Sequence, residues 1–153
     1  MTINGRKLTA SAILAIAIGQ AAADAAPANK AQELCAAVLV AEAGGEGGFA
    51  MHAVWEVIHT RAINRKLSHA DVVRQRWQFS CLNRVSAEAL IKRGKRHRRW
   101  PQAMAIAGRR PQTKLTAGAD HYHAASMAKR PYWARGATPT ATVGGHLFYK
   151  LNK

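Results

Sequence analysis

The sequence predicts a mainly α fold, α+β in class, with a minor β-hairpin at its C-terminal end. Three observations carry that expectation. Apolar residues recur at helical spacing between residues 29 and 108. Side chains that cap helices stand just ahead of these stretches. The period changes to that of strands only after residue 139.

The chain opens on what reads as an export signal. Arg6 and Lys7 form a short positive region, residues 8–18 are mostly Ala, Ile and Leu, and small residues follow with Ala-x-Ala patterns at Ala21-Ala22-Ala23 and Ala23-Asp24-Ala25. This is the pattern of a secretory signal over residues 1–25, cleaved near Ala23 to Ala26, and it leaves 29–153 as one domain. An Ala-rich N-terminal helix that stays in place is the other reading. Contact with a membrane is expected only through such an uncleaved N-terminus.

Asn29 is the N-cap of the first helix, with Gln32 three residues on as in a capping box. Leu34, Val38 and Ala41 form its apolar stripe, and Gly44-Gly45 is expected to stop it by supplying left-handed backbone. A second helix runs from Gly47 or Gly48 to Asn64, with Met51, Val54, Ile58 and Ala62 inward. A short third helix covers 68–74, where Ser68 and Asp71 stand at capping-box spacing. Residues 75–84 are aromatic, polar and aperiodic, which predicts a loop. Ser86 caps a further helix that runs into the basic stretch 92–99. Pro101 suits a first helical position and Gly108 a helix end. Residues 118–135 read as irregular. Residues 140–143 and 146–149 flank Gly144-Gly145, a two-residue hairpin signal. There is no internal repeat.

Composition narrows the function. Lys and Arg number 23 against 8 Asp and Glu, a formal charge of +15. Such a chain seeks polyanions. In an exported protein the fitting partner is the anionic cell envelope, and nucleic acid is not expected. No recognised nucleic-acid fold surrounds the 92–99 run, which is otherwise read as a solvated basic face. No apolar stretch is long enough for a multi-pass membrane protein. The 2 cysteines exclude a disulfide-dense scaffold and a four-thiolate zinc site. In an oxidising space Cys35 and Cys81 could pair or remain buried thiols, and the sequence leaves both open.

Glu42 is the first candidate for chemistry. It falls in the last turn of a mostly apolar helix, just before a Gly-Gly break. The helix C-terminus is the negative end of the macrodipole and disfavours a charged carboxylate, and partial burial acts in the same direction. A carboxyl group that keeps its proton near neutrality is a general acid, although a Glu near a helix end is ordinarily just solvated. Glu46 follows four residues on, across the glycine break. It could be a second carboxylate, a polar substrate contact or an acidic charge at the start of the next helix. His121 and His123, with His146 as a third ligand, could hold a metal, but no carboxylate or Cys follows at the usual zinc spacing, so they read as groove lining. Tyr122, Tyr132 and Trp133 offer flat faces that stack on sugars or fill a core. No G-x-S-x-G, Walker or dinucleotide pattern occurs, Cys81 has no identifiable base, and no metal or cofactor is expected.

Three segments resemble the SleB-type cell wall hydrolases, the spore-cortex-lytic family. The stretch Ala36-Ala37-Val38-Leu39-Val40-Ala41-Glu42-Ala43-Gly44-Gly45-Glu46-Gly47 is similar to the family's "AxxxxxEARGE" helix end, followed by a helix with an "ANVIxNR"-like stretch. Gln78-Phe79-Ser80-Cys81 is similar to its "QFSC" loop. Gly118-Ala119-Asp120-His121-Tyr122-His123-Ala124, then Pro131-Tyr132-Trp133-Ala134, then Val143-Gly144-Gly145-His146-Leu147-Phe148-Tyr149 resemble "GAtHYHA…PxWA…iGxHxFY". Order and spacing fit across residues 33–150. The departures are glycine where the family has Arg between its two Glu residues, Thr60 in place of Asn beside a retained Arg61, and an unusually basic 92–99.

The resemblance implies a small domain related to lysozymes, lytic transglycosylases and resuscitation-promoting factors. It implies cleavage of the β-1,4 bond between N-acetylmuramic acid and N-acetylglucosamine in peptidoglycan. The catalytic Glu falls on Glu42 and the family's second Glu on Glu46. Gln78, Tyr122, His123, Trp133 and His146 are the expected groove residues. Peptidoglycan strands are then the partner, anionic envelope polymers fit the positive surface, and the periplasm or cell wall is the place of action. A hydrolytic muramidase normally needs a second carboxylate. Acidic residues are scarce, which favours a lytic transglycosylase over a hydrolase. The alternatives are an amidase cutting the glycan–peptide bond, usually with zinc, and a non-catalytic peptidoglycan-binding module.

Overall fold

The computed structural model describes residues 29–151. The expected signal, 1–25, lies outside the described residues. Five helices lead into a small antiparallel sheet: α1 (Lys30–Ala43), α2 (Gly48–Arg65), α3 (His69–Arg74), α4 (Ala87–Gly94), α5 (Trp100–Ala107), β1 (His121–Ala124), β2 (Ala141–Val143) and β3 (His146–Tyr149). The mainly α, α+β reading holds.

Helix α1 is the hub, packed against α2, α3, α4 and α5. Its start is set by Asn29, whose side chain accepts the Gln32 N–H at 2.8 Å. The Gln32 side chain does not reach back to complete the box. It donates instead to the Met104 carbonyl of α5 at 3.0 Å, tying two helices together. Leu34, Cys35, Ala36, Ala37, Val38 and Leu39 are all buried. A helix enclosed on nearly every side does not show the one-sided stripe expected of it, and Ala41 of that stripe is exposed. Its alanines admit close neighbours: a Cβ on Gly94 of α4 would stand 3.3 Å from the Ala37 Cα.

Gly44 corrects the expected stop. It is right-handed helical (φ −62°). What it supplies is room, since a Cβ there would meet the Val40 carbonyl oxygen at 2.5 Å. The left-handed turn comes at Gly47, with φ +107°. Helix α2 then buries Met51, Val54, Ile58 and Ala62 as expected. It also buries Ala53 and Val57 in a second cluster with Ala119 and Phe148, which seats the sheet on the helices. Ser68 caps α3 by accepting the Asp71 N–H at 3.1 Å, and Ser86 caps α4 through the Ala89 N–H at 3.2 Å. Helix α4 stops at Gly94, so most of the basic stretch forms a turn rather than helix.

The C-terminal part holds more sheet than expected. Residues 118–135, read as irregular, contain β1, and the hairpin becomes a three-stranded sheet in the order β1-β3-β2. His121 pairs with Tyr149 and Ala124 with His146. A four-residue polar and aromatic strand has no local signature. It exists because β3 supplies its ladder. Cys35 and Cys81 are both free thiols, and burial pushes Cys35 up to about 12.

Candidate active site

A groove of about 560 Å³ opens between the end of α1, the loop before Ser80, strand β1 and the 131–133 segment. Glu42, Gln78, Tyr122, His123, Trp133 and His146 all line it, together with Arg61, Trp77, Ser80, His121, Met127 and Tyr132. Glu42 is the acidic residue among the lining groups. Glu46 is not among them.

Glu42 sits at the floor. Its Oε2 accepts the Tyr122 hydroxyl at 3.0 Å. Its Oε1 is buried and accepts no hydrogen bond of ordinary geometry from the described residues. Burial, and then the Glu42 carboxylate, raise Tyr122 well above the usual phenol value, so it stays a neutral donor. The same two causes, in the same order, push the Cys81 thiol up to about 12, which leaves it uncharged beside the acid.

Arg61 reaches the site from α2, 5% exposed. Its Nε donates to the Asp120 carbonyl at 2.6 Å, and its guanidinium lies 5.7 Å from the centre of the Phe79 ring. Burial lowers Arg61, while the fields of Tyr122, Asp120 and Glu42 favour its charged form. Arg61 is thus a buried cation placed to offset a carboxylate at Glu42. The sequence offered it only as the retained residue of a family stretch.

The wall formed by β1 and β3 is held from behind. His123 Nδ1 meets the Ala124 carbonyl at 2.9 Å, and its Nε2 meets the Tyr149 hydroxyl at 3.1 Å. A carbonyl only accepts, so Nδ1 carries hydrogen and, in the neutral ring, Nε2 accepts from Tyr149. Trp133 packs against His121, His123 and Tyr149 with ring centres 5.0, 5.8 and 5.6 Å apart. Tyr122 meets the edge of His146 at 5.2 Å. Arg65, at the end of α2, donates to the side-chain oxygens of both Gln75 and Gln78 on the facing loop.

The three histidines considered as metal ligands each have a first partner: Asp120 for His121 at 2.9 Å, the Ala124 carbonyl for His123, and Glu46 for His146 at 3.1 Å. Among the described residues no group of three or more His, Cys, Asp and Glu is arranged around a common centre. Glu46 faces the hairpin instead of the groove. Its Oε2 accepts the Gly145 N–H at 2.7 Å as well as His146 Nδ1. It touches the site only through His146.

A mostly helical domain with a three-stranded antiparallel sheet has a solved counterpart. The catalytic domain of the Bacillus cereus SleB protein superposes with a TM-score of 0.59 over 88% of this chain and 100% of that one, at 16% identity. The fold is therefore that of the SleB catalytic domain. No curated protein matches the chain significantly. The cell wall hydrolase family profile matches residues 45–149, and the chain belongs to that family. Family and fold together support peptidoglycan degradation. The matched span begins just after Glu42, so the case for that residue rests on the geometry of the groove.

Proposed function

We propose that the protein is a lytic transglycosylase, cleaving the β-1,4 bond between N-acetylmuramic acid and N-acetylglucosamine with Glu42 as its one acid/base. The observation that carries this reading is the state of the Glu42 carboxyl group. One oxygen is fixed by Tyr122, and the other is buried with no hydrogen bond of ordinary geometry, the neutral Cys81 thiol standing beside the carboxyl group. An oxygen left open there is placed to pass a proton to a substrate, and the carboxylate that remains has the Arg61 cation to offset it.

In this mechanism Glu42 protonates the glycosidic oxygen, the C1–O bond breaks, and positive charge develops on the muramic acid ring. The carboxylate left behind is held by the Tyr122 hydroxyl and faces the Arg61 cation. It then takes the proton of the sugar's own C6 hydroxyl, and O6 closes on C1. The product is a 1,6-anhydro end, Glu42 regains its proton, and no water is consumed. A hydrolase needs a group to position or activate water. Glu46, whose Oε2 is engaged by the hairpin turn, is poorly placed for that. Gln78, His123, Trp133 and His146 serve as groove contacts. Export through residues 1–25 would deliver the enzyme to the cell wall.

Mass spectrometry of soluble products from purified peptidoglycan tests the reading. Anhydro-muramyl ends that disappear in Glu42→Gln are expected. Reducing muramic acid ends would mean hydrolysis and would direct attention to His146, the groove histidine backed by Glu46. Free stem peptides would overturn the glycosidase reading.

A further inference from the structure

Trp77 lines the groove, and neither the sequence motifs nor the proposed mechanism uses it. It stands 72% exposed and belongs to neither hydrophobic cluster. Its backbone is left-handed, with φ +65°. The reason is local. The Gln78 N–H closes a turn onto the Gln75 carbonyl at 3.2 Å, and Trp77 occupies the third position, where a positive φ ordinarily selects Gly or Asn. Arg65 clamps the turn by donating to the side chains of both Gln75 and Gln78. Arg76 places its guanidinium 5.4 Å from the indole centre.

The fold thus carries a large apolar ring in water, on a backbone geometry unfavourable for it, and draws no core packing from it. Such a residue is retained for something outside the fold. Tyr132, in the 131–133 segment, also lines the groove and is 81% exposed. Unlike Trp77, it has Trp133 and the buried Ala134 as neighbours in a helical turn.

Resting on the reading of this groove as a glycan site, we propose that Trp77 is a sugar-binding platform for an N-acetylhexosamine polymer. The indole face takes the apolar C–H face of one pyranose ring while the neighbouring ring is presented to Glu42. Arg76, stacked on the indole, adds a cation for the carboxylates that peptidoglycan carries beside its sugars. Trp77 binds and positions the strand and takes no part in proton transfer.

The test uses the Glu42→Gln protein, which is to bind without cutting, in co-sedimentation with purified peptidoglycan sacculi. Adding Trp77→Gly should weaken binding about tenfold, the loss of one aromatic stacking contact. The melting temperature should hold or rise, because glycine relieves the positive φ. Trp77→Phe should recover part of the binding. Indole fluorescence should shift when sacculi fragments are added, and Trp77→Phe should reduce that shift to the share of Trp133, which also lines the groove. Binding by Trp77→Gly within twofold of its parent overturns the platform, as does failure of the parent to sediment with sacculi. A marked fall in melting temperature would make Trp77 a structural prop and overturn it too. Anhydro ends that persist in Glu42→Gln would break the catalytic reading, and the fluorescence comparison with soluble sacculi fragments would still decide the platform.

Discussion

Glu42 on α1 and Glu56 on α2 are carboxylates on adjacent central helices, and the fold serves them in opposite ways. Glu56 is 6% exposed and fully provided for. The Thr113 hydroxyl, the Leu115 N–H at 2.8 Å, the Thr116 N–H at 2.9 Å and the Thr116 hydroxyl at 2.7 Å all donate to it. Burial alone would raise it, but these donors outweigh burial and hold it below the usual carboxylate value. Glu56 is fixed as an ion, and it fastens the 113–116 loop to the helices. Glu42 receives the Tyr122 hydroxyl, has the Cys81 thiol beside it, and keeps a buried oxygen with no hydrogen bond of ordinary geometry. A saturated carboxylate has no capacity left for a substrate. One with an open oxygen keeps a place for a substrate atom.

The contrast is sharpest under substitution. Glu42→Gln should abolish lysis of peptidoglycan, by about 10³-fold, the usual share of a general acid. It should leave the melting temperature nearly unchanged, since the amide oxygen still accepts from Tyr122. Turbidity clearance and calorimetry on one preparation check both. Glu56→Ala should do the reverse. It strands donors that the folded loop cannot turn to water, costing about 3 kcal/mol of stability in a urea titration. At temperatures where that variant is folded, its turnover should stay close to that of the parent. A Glu56→Ala protein that folds normally but cannot cleave would erase the distinction.

The two carboxylates also differ in how much of them the sequence revealed. Glu42 stood out because its signals are local: a helix end, a glycine break and a short motif. The caps Asn29, Ser68 and Ser86 were legible for the same reason, each bonding within three residues. The partners of Glu56 lie 57 to 60 residues away, and no pattern around it pointed to them. Strand β1 was missed on the same grounds, since its ladder comes from β3. The sequence allows Glu46 three roles, and the structure shows it as the clasp of the hairpin turn. The groove residues were found by their motif rather than by physics. Trp77, beside that motif, was not found, because a positive φ in a loop leaves no trace in a tryptophan codon.

Acid should separate Glu56 from a third kind of site. His59 and His69 meet at 2.9 Å between α2 and α3. Burial lowers both, helped at His59 by Arg110 and at His69 by His59 and Arg110. A histidine depressed in the fold takes up its proton more readily when unfolded. The stability it contributes is complete above about 6.5 and falls as pH drops through the folded value. Glu56 is likewise depressed, so its contribution is complete above about 4.3 and is lost at lower pH. Stability measured by urea from pH 8 to 3 should therefore fall in two stages. Replacing His69 by Gln should shrink the upper stage to the share of His59, which burial and Arg110 still lower, and replacing Glu56 should remove the lower. A single fall near 4 that both variants share would mean that the His pair contributes nothing.

The smallest effect is expected at Glu46, and it tests the comparison from its weakest side. This carboxylate is a third exposed and holds two donors, the Gly145 N–H and His146 Nδ1. It resembles Glu56 in binding a distant turn, and it stands one ring, that of His146, away from the groove that Glu42 lines. Glu46→Gln keeps an oxygen for the turn and removes the charge opposite His146. The loss should be within about 1 kcal/mol of stability, since the pair is partly in water. Product release should fall no more than about threefold, with KM moved more than kcat, because His146 and through it Tyr122 lose a little of their positioning. Should Glu46→Gln instead cut kcat as deeply as Glu42→Gln while anhydro ends give way to reducing ends, the groove would work with two carboxylates and water. The single undersupplied Glu would then no longer be sufficient for the chemistry.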